Sequence, residues 1–106
     1  MGENKNDDSF YQDKGRFCGM KFLRRSELNW KLMGEEVVIL DRHEGKVYRL
    51  NPCASRIWEM LDGERTLEEI TDQITARYDA SREKIRKDVS KFIKDFYRND
   101  MILEKK

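Results

Sequence analysis

The first half of the chain carries apolar residues at the short spacings that are typical of β-strands. Leu28, Trp30 and Leu32 occupy every second position, which predicts a strand within residues 24–33. Residues 37–40 read Val-Val-Ile-Leu and contain no polar position, so they predict a central strand that needs cover on both faces.

Polar segments that contain a glycine separate these strands. Gly34 and Gly45 can each take the positive φ that a tight hairpin needs, so neighbouring strands are predicted to be antiparallel. The third strand of this meander is predicted over residues 46–51 and lies at an edge of the sheet. Alternation divides its side chains between two faces, with Val47 and Arg49 on one and Tyr48 and Leu50 on the other.

Apolar residues in the second half recur three and four positions apart, which predicts α-helices over residues 52–61, 66–78 and 81–98. Each predicted helix begins at a residue type that caps helices, namely Asn51, Thr66 and Ser81. The predicted fold class is therefore α+β and winged-helix-like, a three-stranded antiparallel meander followed by three helices.

The sequence also predicts where the first helix ends and how the two ends of the chain are arranged. Asp62-Gly63 is expected to end the first helix, and residues 101–103 are expected to extend and pack back on the core. Residues 1–22 are expected to form a flexible N-terminal extension before a domain over residues 23–106. The aromatic residues of this segment also allow residues 17–23 to fold over apolar surface, or to exchange with a second subunit in a homodimer.

The third predicted helix is broader on one side than a simple core stripe. Ile93 and Tyr97 widen its apolar face, and Arg82 and Arg86 lie on that same side. This side is either the wall of a ligand groove, with arginines that pair with acidic groups, or part of the core beside a solvated basic face.

Composition narrows the possible functions. Charged residues make up 41% of the 106 residues and hydrophobic ones 38%, which indicates one small soluble domain, and its expected location is the cytoplasm. Cys18 and Cys53 lie far apart and His43 is the single histidine, so neither a metal site nor a disulfide is expected. No residue pair suits acid–base or nucleophilic catalysis and no glycine-rich phosphate loop is present, so we expect a non-enzyme without a cofactor.

An ordered set of short motifs runs through the middle of the chain. The set consists of Val37-Val38-Ile39-Leu40-Asp41, Gly45-Lys46-Val47-Tyr48-Arg49-Leu50-Asn51, Ala54, Ile57-Trp58, Leu61-Asp62-Gly63, Thr66-Leu67-Glu68-Glu69-Ile70, Tyr78 and Asp88-Val89. With these motifs, residues 23–103 resemble the PqqD family, small proteins of the class that recognises ribosomally made, later modified peptides (RiPP recognition elements).

This resemblance implies a peptide chaperone. Such a protein binds the leader of a ribosomally made precursor peptide and presents it to a modifying enzyme, often a radical SAM enzyme, in RiPP or pyrroloquinoline quinone (PQQ) biosynthesis. The leader is expected to add as a strand to residues 46–51, in the groove beside the third helix. The expected peptide-binding residues are Lys46, Val47, Tyr48, Arg49, Leu50, Arg82, Ile85, Arg86, Val89, Ser90, Ile93 and Tyr97.

Two other functions compete with this expectation. A winged helix can place a basic third helix in the major groove of DNA, but the net charge of +1 and the acidic second helix argue against a DNA-binding regulator. The third possibility is a structural subunit that docks on a large synthetase without any affinity of its own for the peptide.

Overall fold

The computed structural model describes residues 19–105, so predictions for residues 1–18 lie outside the described residues. Six strands and three helices follow one another along the chain: β1 (Lys21–Arg24), β2 (Asn29–Met33), β3 (Glu36–Asp41), β4 (Lys46–Arg49), α1 (Pro52–Glu59), β5 (Asp62–Thr66), α2 (Leu67–Arg77), α3 (Arg82–Arg98) and β6 (Ile102–Lys105).

The predicted meander forms the sheet β2–β3–β4, and all of its pairs are antiparallel. Ile39 in the central strand lies opposite Trp30 of β2 and Tyr48 of β4. Gly34 and Gly45 take φ values of 67° and 69° in the two connecting turns, as the hairpin prediction required. The strand β4 therefore lies at an edge of this sheet.

A second antiparallel sheet, in the order β5–β1–β6, was not predicted. Its strands pair residues that are far apart in sequence, such as Lys21 with both Thr66 and Lys105. Asp62-Gly63 was expected to end the first helix and Thr66 to cap the second, so no strand was predicted between them. Residues 62–66 form a strand because β1 supplies the backbone partners that a short polar strand needs.

Because of this sheet, the folded part of the chain begins before residue 23, where the domain was predicted to start. Phe22 in β1 is only 2% exposed, Met20 lies in the core, and the Met20 carbonyl accepts a hydrogen bond of 2.8 Å from the N–H of Leu67. The predicted boundary at residue 23 is therefore too late for residues 20–22. These residues pack within their own chain.

The three helices begin at the predicted capping residues. The side chain of Asn51 accepts from the N–H of Ala54 at 2.8 Å, Thr66 and Glu69 form a capping box, and Ser81 caps α3. The first helix ends earlier than predicted, at Glu59, because the next residues turn into β5.

The core lies between the inner face of the meander and the helices. Trp58 of α1 is fully buried, and its ring packs edge-on against Trp30 and Phe96 with centroids 6.3 and 5.3 Å apart. The described residues cover one face of β3 fully, since Val38 on the other face is half-buried and Leu40 is 38% exposed. The N-terminal aromatic residues that were expected to meet this second face lie largely outside the described residues. Within residues 19–105, no helix is long and apolar enough to cross a membrane.

Candidate functional site

The backbone of β4 has a defined open side. The N–H of Leu50 donates to the carbonyl of Val37 at 2.9 Å, and Tyr48 lies opposite Ile39. Because antiparallel strands exchange hydrogen bonds at every second residue, Tyr48 bonds to β3, whereas the N–H and C=O groups of Val47 and Arg49 point away from it. These two residues present donors and acceptors at the sheet edge.

A buried hydroxyl fixes the end of this edge. Ser55 of α1 is 1% exposed, and its hydroxyl accepts from the N–H of Val37 at 2.7 Å and donates to the carbonyl of Leu50 at 3.1 Å. Asn51 and Pro52 then start α1 directly after the strand. The open stretch of β4 is therefore short and rigidly placed.

A pocket of about 220 Å³ lies between β4 and α3. Its lining combines apolar side chains with a few polar ones: Tyr48, Arg49, Leu50, Asn51, Ala54, Phe92, Asp95, Phe96, Asn99 and Met101. A larger cleft of about 650 Å³ shares Tyr48 and Asn99 with the pocket and continues past Lys46 and Arg98. The cleft then extends past the β3–β4 turn toward Arg25, Glu27 and Leu28, which precede β2. We call the pocket and the adjoining part of the cleft between Lys46 and Arg98 the β4–α3 groove.

Comparison with known proteins places this arrangement in a family. The family described as "Coenzyme PQQ synthesis protein D (PqqD)" matches residues 36–102, a span from the start of β3 to the start of β6. The chain belongs to the PqqD family. The predicted resemblance is thereby confirmed, and the match includes β4, α3 and the β4–α3 groove.

Two solved structures share the fold of this PqqD-family chain. One is TbiB1 in complex with the TbiA(beta) leader peptide, with 26% sequence identity, a TM-score of 0.70 and coverage of 76% of this chain and 93% of that chain. The other is a lasso peptide synthetase B1 complexed with the leader peptide, with 23% identity, a TM-score of 0.71 and coverage of 78% and 98%. These matches confirm the predicted α+β fold class. No curated protein sequence matches the chain at a significant level.

In this PqqD-family chain, four of the predicted site residues lie on β4 and Leu50 follows the strand directly. All five lie at the groove or at the open edge of the strand. The side chains of Tyr48 and Leu50 are half-buried and line the groove, whereas the side chain of Val47 is 67% exposed on the opposite face of the sheet. Arg49 bonds through Nε to Glu36 at 2.8 Å. Lys46 lines the wider cleft.

The predicted site residues on α3 do not line this pocket. Four of them are core residues that are at most 4% exposed: Ile85, Val89, Ser90 and Ile93. The ring of Tyr97 packs edge-on against Phe22 of β1, with centroids 6.1 Å apart. The side that we expected to be a groove wall therefore packs on the second sheet, which the sequence did not reveal.

The two predicted basic contacts also lie on the other flank of α3. Arg82 forms ion pairs with Asp72 and Glu68 of α2, and Arg86 pairs with Glu83 of its own helix. Both arginines are thus paired with carboxylates in this structure and neither lines the pocket, so a contact between them and an acidic leader stays a prediction.

The groove wall on α3 is formed by residues that the sequence analysis did not assign to the site, namely Phe92, Asp95, Phe96 and Asn99. The spacing of Phe92 and Phe96 along the sequence predicts that both belong to the apolar core stripe of this helix. The spacing of Phe92, Phe96 and Asn99 is the one signal that could have identified this flank, because side chains three or four residues apart share a helix face.

Cys53 and His43 lie in different elements of the described structure, at the start of α1 and in the turn before β4. Burial raises the pKa of the Cys53 thiol and the nearby Asp88 carboxylate raises it further, so the thiol stays protonated near neutral pH. His43 lies exposed in the turn before β4, where its backbone N–H donates to the carboxylate of Asp41 at 3.0 Å. Among the described residues, no group of three or more His, Cys, Asp or Glu side chains could hold a metal ion.

Proposed function

We propose that this protein is a peptide chaperone that binds the leader of a ribosomally made precursor peptide. The leader adds as a fourth strand to β4 and lies in the β4–α3 groove. The observation that carries the proposal is the open backbone of Val47 and Arg49 beside an apolar pocket. Membership of the PqqD family and likeness to TbiB1, whose structure contains a leader peptide, support it.

Strand addition explains how one short edge can both bind and select a peptide. The backbone groups of Val47 and Arg49 pair with any extended chain, which gives affinity without reading sequence. The peptide side chain opposite Tyr48 points to the same face as Tyr48 and enters the pocket. The pocket lining then selects that side chain.

The protein supplies binding and no chemistry of its own in this proposal. A separate maturation enzyme, a radical SAM enzyme or another RiPP enzyme, modifies the part of the precursor that the groove leaves free. Binding takes place in the cytoplasm, where the precursor is translated. The pathway is of the PQQ type, the lasso type or a related RiPP type.

The competing DNA-binding function is not favoured. The face of α3 with Ile85, Val89 and Ile93 is buried in the core, so it cannot enter a DNA groove. Arg82 and Arg86, which would contact phosphates, are paired with carboxylates. A helix that reads DNA exposes its basic face instead.

The test is an NMR titration of the isotope-labelled full chain with leader peptides synthesised from short open reading frames beside its gene. We expect shifts of the Val47 and Arg49 amides and of the Phe92 side chain, with affinity that persists in moderate salt. Saturating peptide that leaves these signals unchanged would contradict the proposal. A steep loss of binding to duplex DNA with rising salt would point to the competing function.

A further inference from the structure

We propose that the groove selects leaders that carry a lysine or arginine facing α3, and that the carboxylate of Asp95 binds this cation. The inference rests on the proposed function and adds the substrate class. Its charge preference is opposite to that of the alternative in which Arg82 and Arg86 pair with acidic groups of a leader.

Asp95 differs from Arg49, the other charged side chain of the pocket, because its carboxylate has no hydrogen bond or ion pair within residues 19–105. Asn51 accepts from the N–H of Ala54 at 2.8 Å and so caps α1. The side-chain amide of Asn99 donates to the backbone carbonyl of Asp95 at 2.8 Å. Arg49 is held by Glu36. The pocket therefore presents one uncommitted charge, and that charge is negative.

The position of Asp95 along the groove matches a long basic side chain. Leu50 and Ala54 line the pocket together with Phe92, while Lys46 lines the cleft together with Arg98 and Asn99. The helix α3 thus runs antiparallel to β4, and Asp95 lies one helical turn from Phe92 and from Asn99. A lysine or arginine can lay its apolar stem across the Phe92 side of the pocket and extend its charged end to the exposed Asp95.

When a peptide covers the groove, the charge of Asp95 favours some peptide side chains over others. A bound strand removes water from the Asp95 side of the pocket, and a carboxylate that loses water without gaining a partner is unfavourable. A cation in the leader compensates for that loss, an apolar residue does not, and an acidic residue adds repulsion. Selection therefore operates both for the basic side chain and against the acidic one.

The experiment uses displayed libraries of random twelve-residue peptides as the probe. Libraries are selected on the full-length protein, on Asp95→Asn, on Asp95→Lys and on Asp79→Asn. Asp79 is an exposed residue between α2 and α3 outside the groove lining, so its variant controls for the loss of one negative charge. Bound peptides are sequenced, and the affinities of individual peptides are measured at low and moderate salt.

We expect the native protein and Asp79→Asn to enrich the same peptides, with lysine or arginine at one position relative to the apolar anchor. Asp95→Asn should lose this enrichment and bind the basic peptides up to about five-fold more weakly, the scale of one partly exposed ion pair. Asp95→Lys should enrich aspartate or glutamate at that position. The same peptide preference in all four proteins would overturn the inference.

A further variant separates this inference from the proposed function. Selected peptides are tested on Val47→Pro, which removes one edge donor of β4. Peptides that depend on Val47 but show no preference at the Asp95 position would overturn the charge selection and leave leader binding standing. Peptides that bind Val47→Pro as well as the native chain would overturn both.

Discussion

The backbone N–H of Val37 donates to the hydroxyl of Ser55 at 2.7 Å, and both residues are buried. This bond joins the central strand to the first helix. Because the same hydroxyl donates to the carbonyl of Leu50, it stands in for the strand-to-strand bond that would close the ladder where β4 ends. One side chain thus satisfies two backbone groups at the end of the open edge of β4.

Replacing Ser55 by alanine should destabilise the fold by about 1–3 kcal/mol, because it leaves a buried donor and a buried acceptor without partners. Ser90→Ala is the matched control. Its hydroxyl is also buried but donates to the Arg86 carbonyl within a helix, where the backbone already supplies a bond. Urea unfolding of both variants measures the difference, and equal losses of stability would contradict the role given to Ser55.

Proline at Val47 should weaken leader binding by about three- to tenfold while the domain stays folded, because it removes one outward N–H. Leu32→Pro is the control on the opposite edge. In β2, Lys31 and Val38 form a hydrogen-bonded pair of the antiparallel ladder. The next residue, Leu32, therefore directs its N–H away from the sheet, as Val47 does in β4.

Calorimetric titration with a bound leader peptide compares the two proline variants. The expected result is a loss of affinity in Val47→Pro alone. A comparable loss in Leu32→Pro would mean that proline acts through general destabilisation of the meander, and the assignment of the binding edge to β4 would fail.

Replacing Arg82 by glutamine should leave peptide affinity unchanged and lower stability by up to about 1 kcal/mol. The reason is that its guanidinium pairs with Asp72 and Glu68 across the α2–α3 contact, where the side chains remain partly exposed. Lys87→Gln, at an exposed position of the same helix, controls for the change of charge. Weaker binding by Arg82→Gln alone would restore Arg82 to the site.

Two phenylalanines of α3 should respond differently to truncation. Phe96 is 4% exposed and packs on Trp58, so Phe96→Ala should cost about 3–5 kcal/mol of stability. Phe92 is half-buried in the groove wall, so Phe92→Ala should cost less stability and reduce leader affinity. Thermal unfolding and binding of each variant test this, and a Phe92→Ala protein with native affinity would remove the pocket from the site.

Local chemistry explains which parts of the fold could be predicted. The turn glycines, the three helix caps and the period-two meander depend on residues close in sequence, and all of them are present. The strand Asp62–Thr66 depends instead on pairing with Lys21–Arg24, some forty residues earlier. Nothing in its polar sequence indicates a strand, so the second sheet could not be predicted from pattern.

The candidate site also has one part that could be predicted from the sequence and one part that could not. The open edge of β4 follows from strand order, which short turns determine. The groove wall on α3 depends on which flank of the helix faces β4. The sequence alone does not show which flank of α3 lines the groove. Ile93 and Tyr97 on one flank suit that position as well as Phe92 does on the other. The contacts of Tyr97 with Phe22 and of Arg82 with α2 decide between the flanks.

The short open stretch of β4 has a consequence for turnover. Two outward residues provide four backbone hydrogen bonds, which contribute roughly 2–6 kcal/mol before the cost of ordering the peptide. We expect a complex held by these bonds alone to dissociate quickly, since weak complexes differ from tight ones mainly in how fast they dissociate. Because Asn51 and Pro52 end the strand and limit the pairing, we expect one molecule of this protein to release a processed precursor and accept the next.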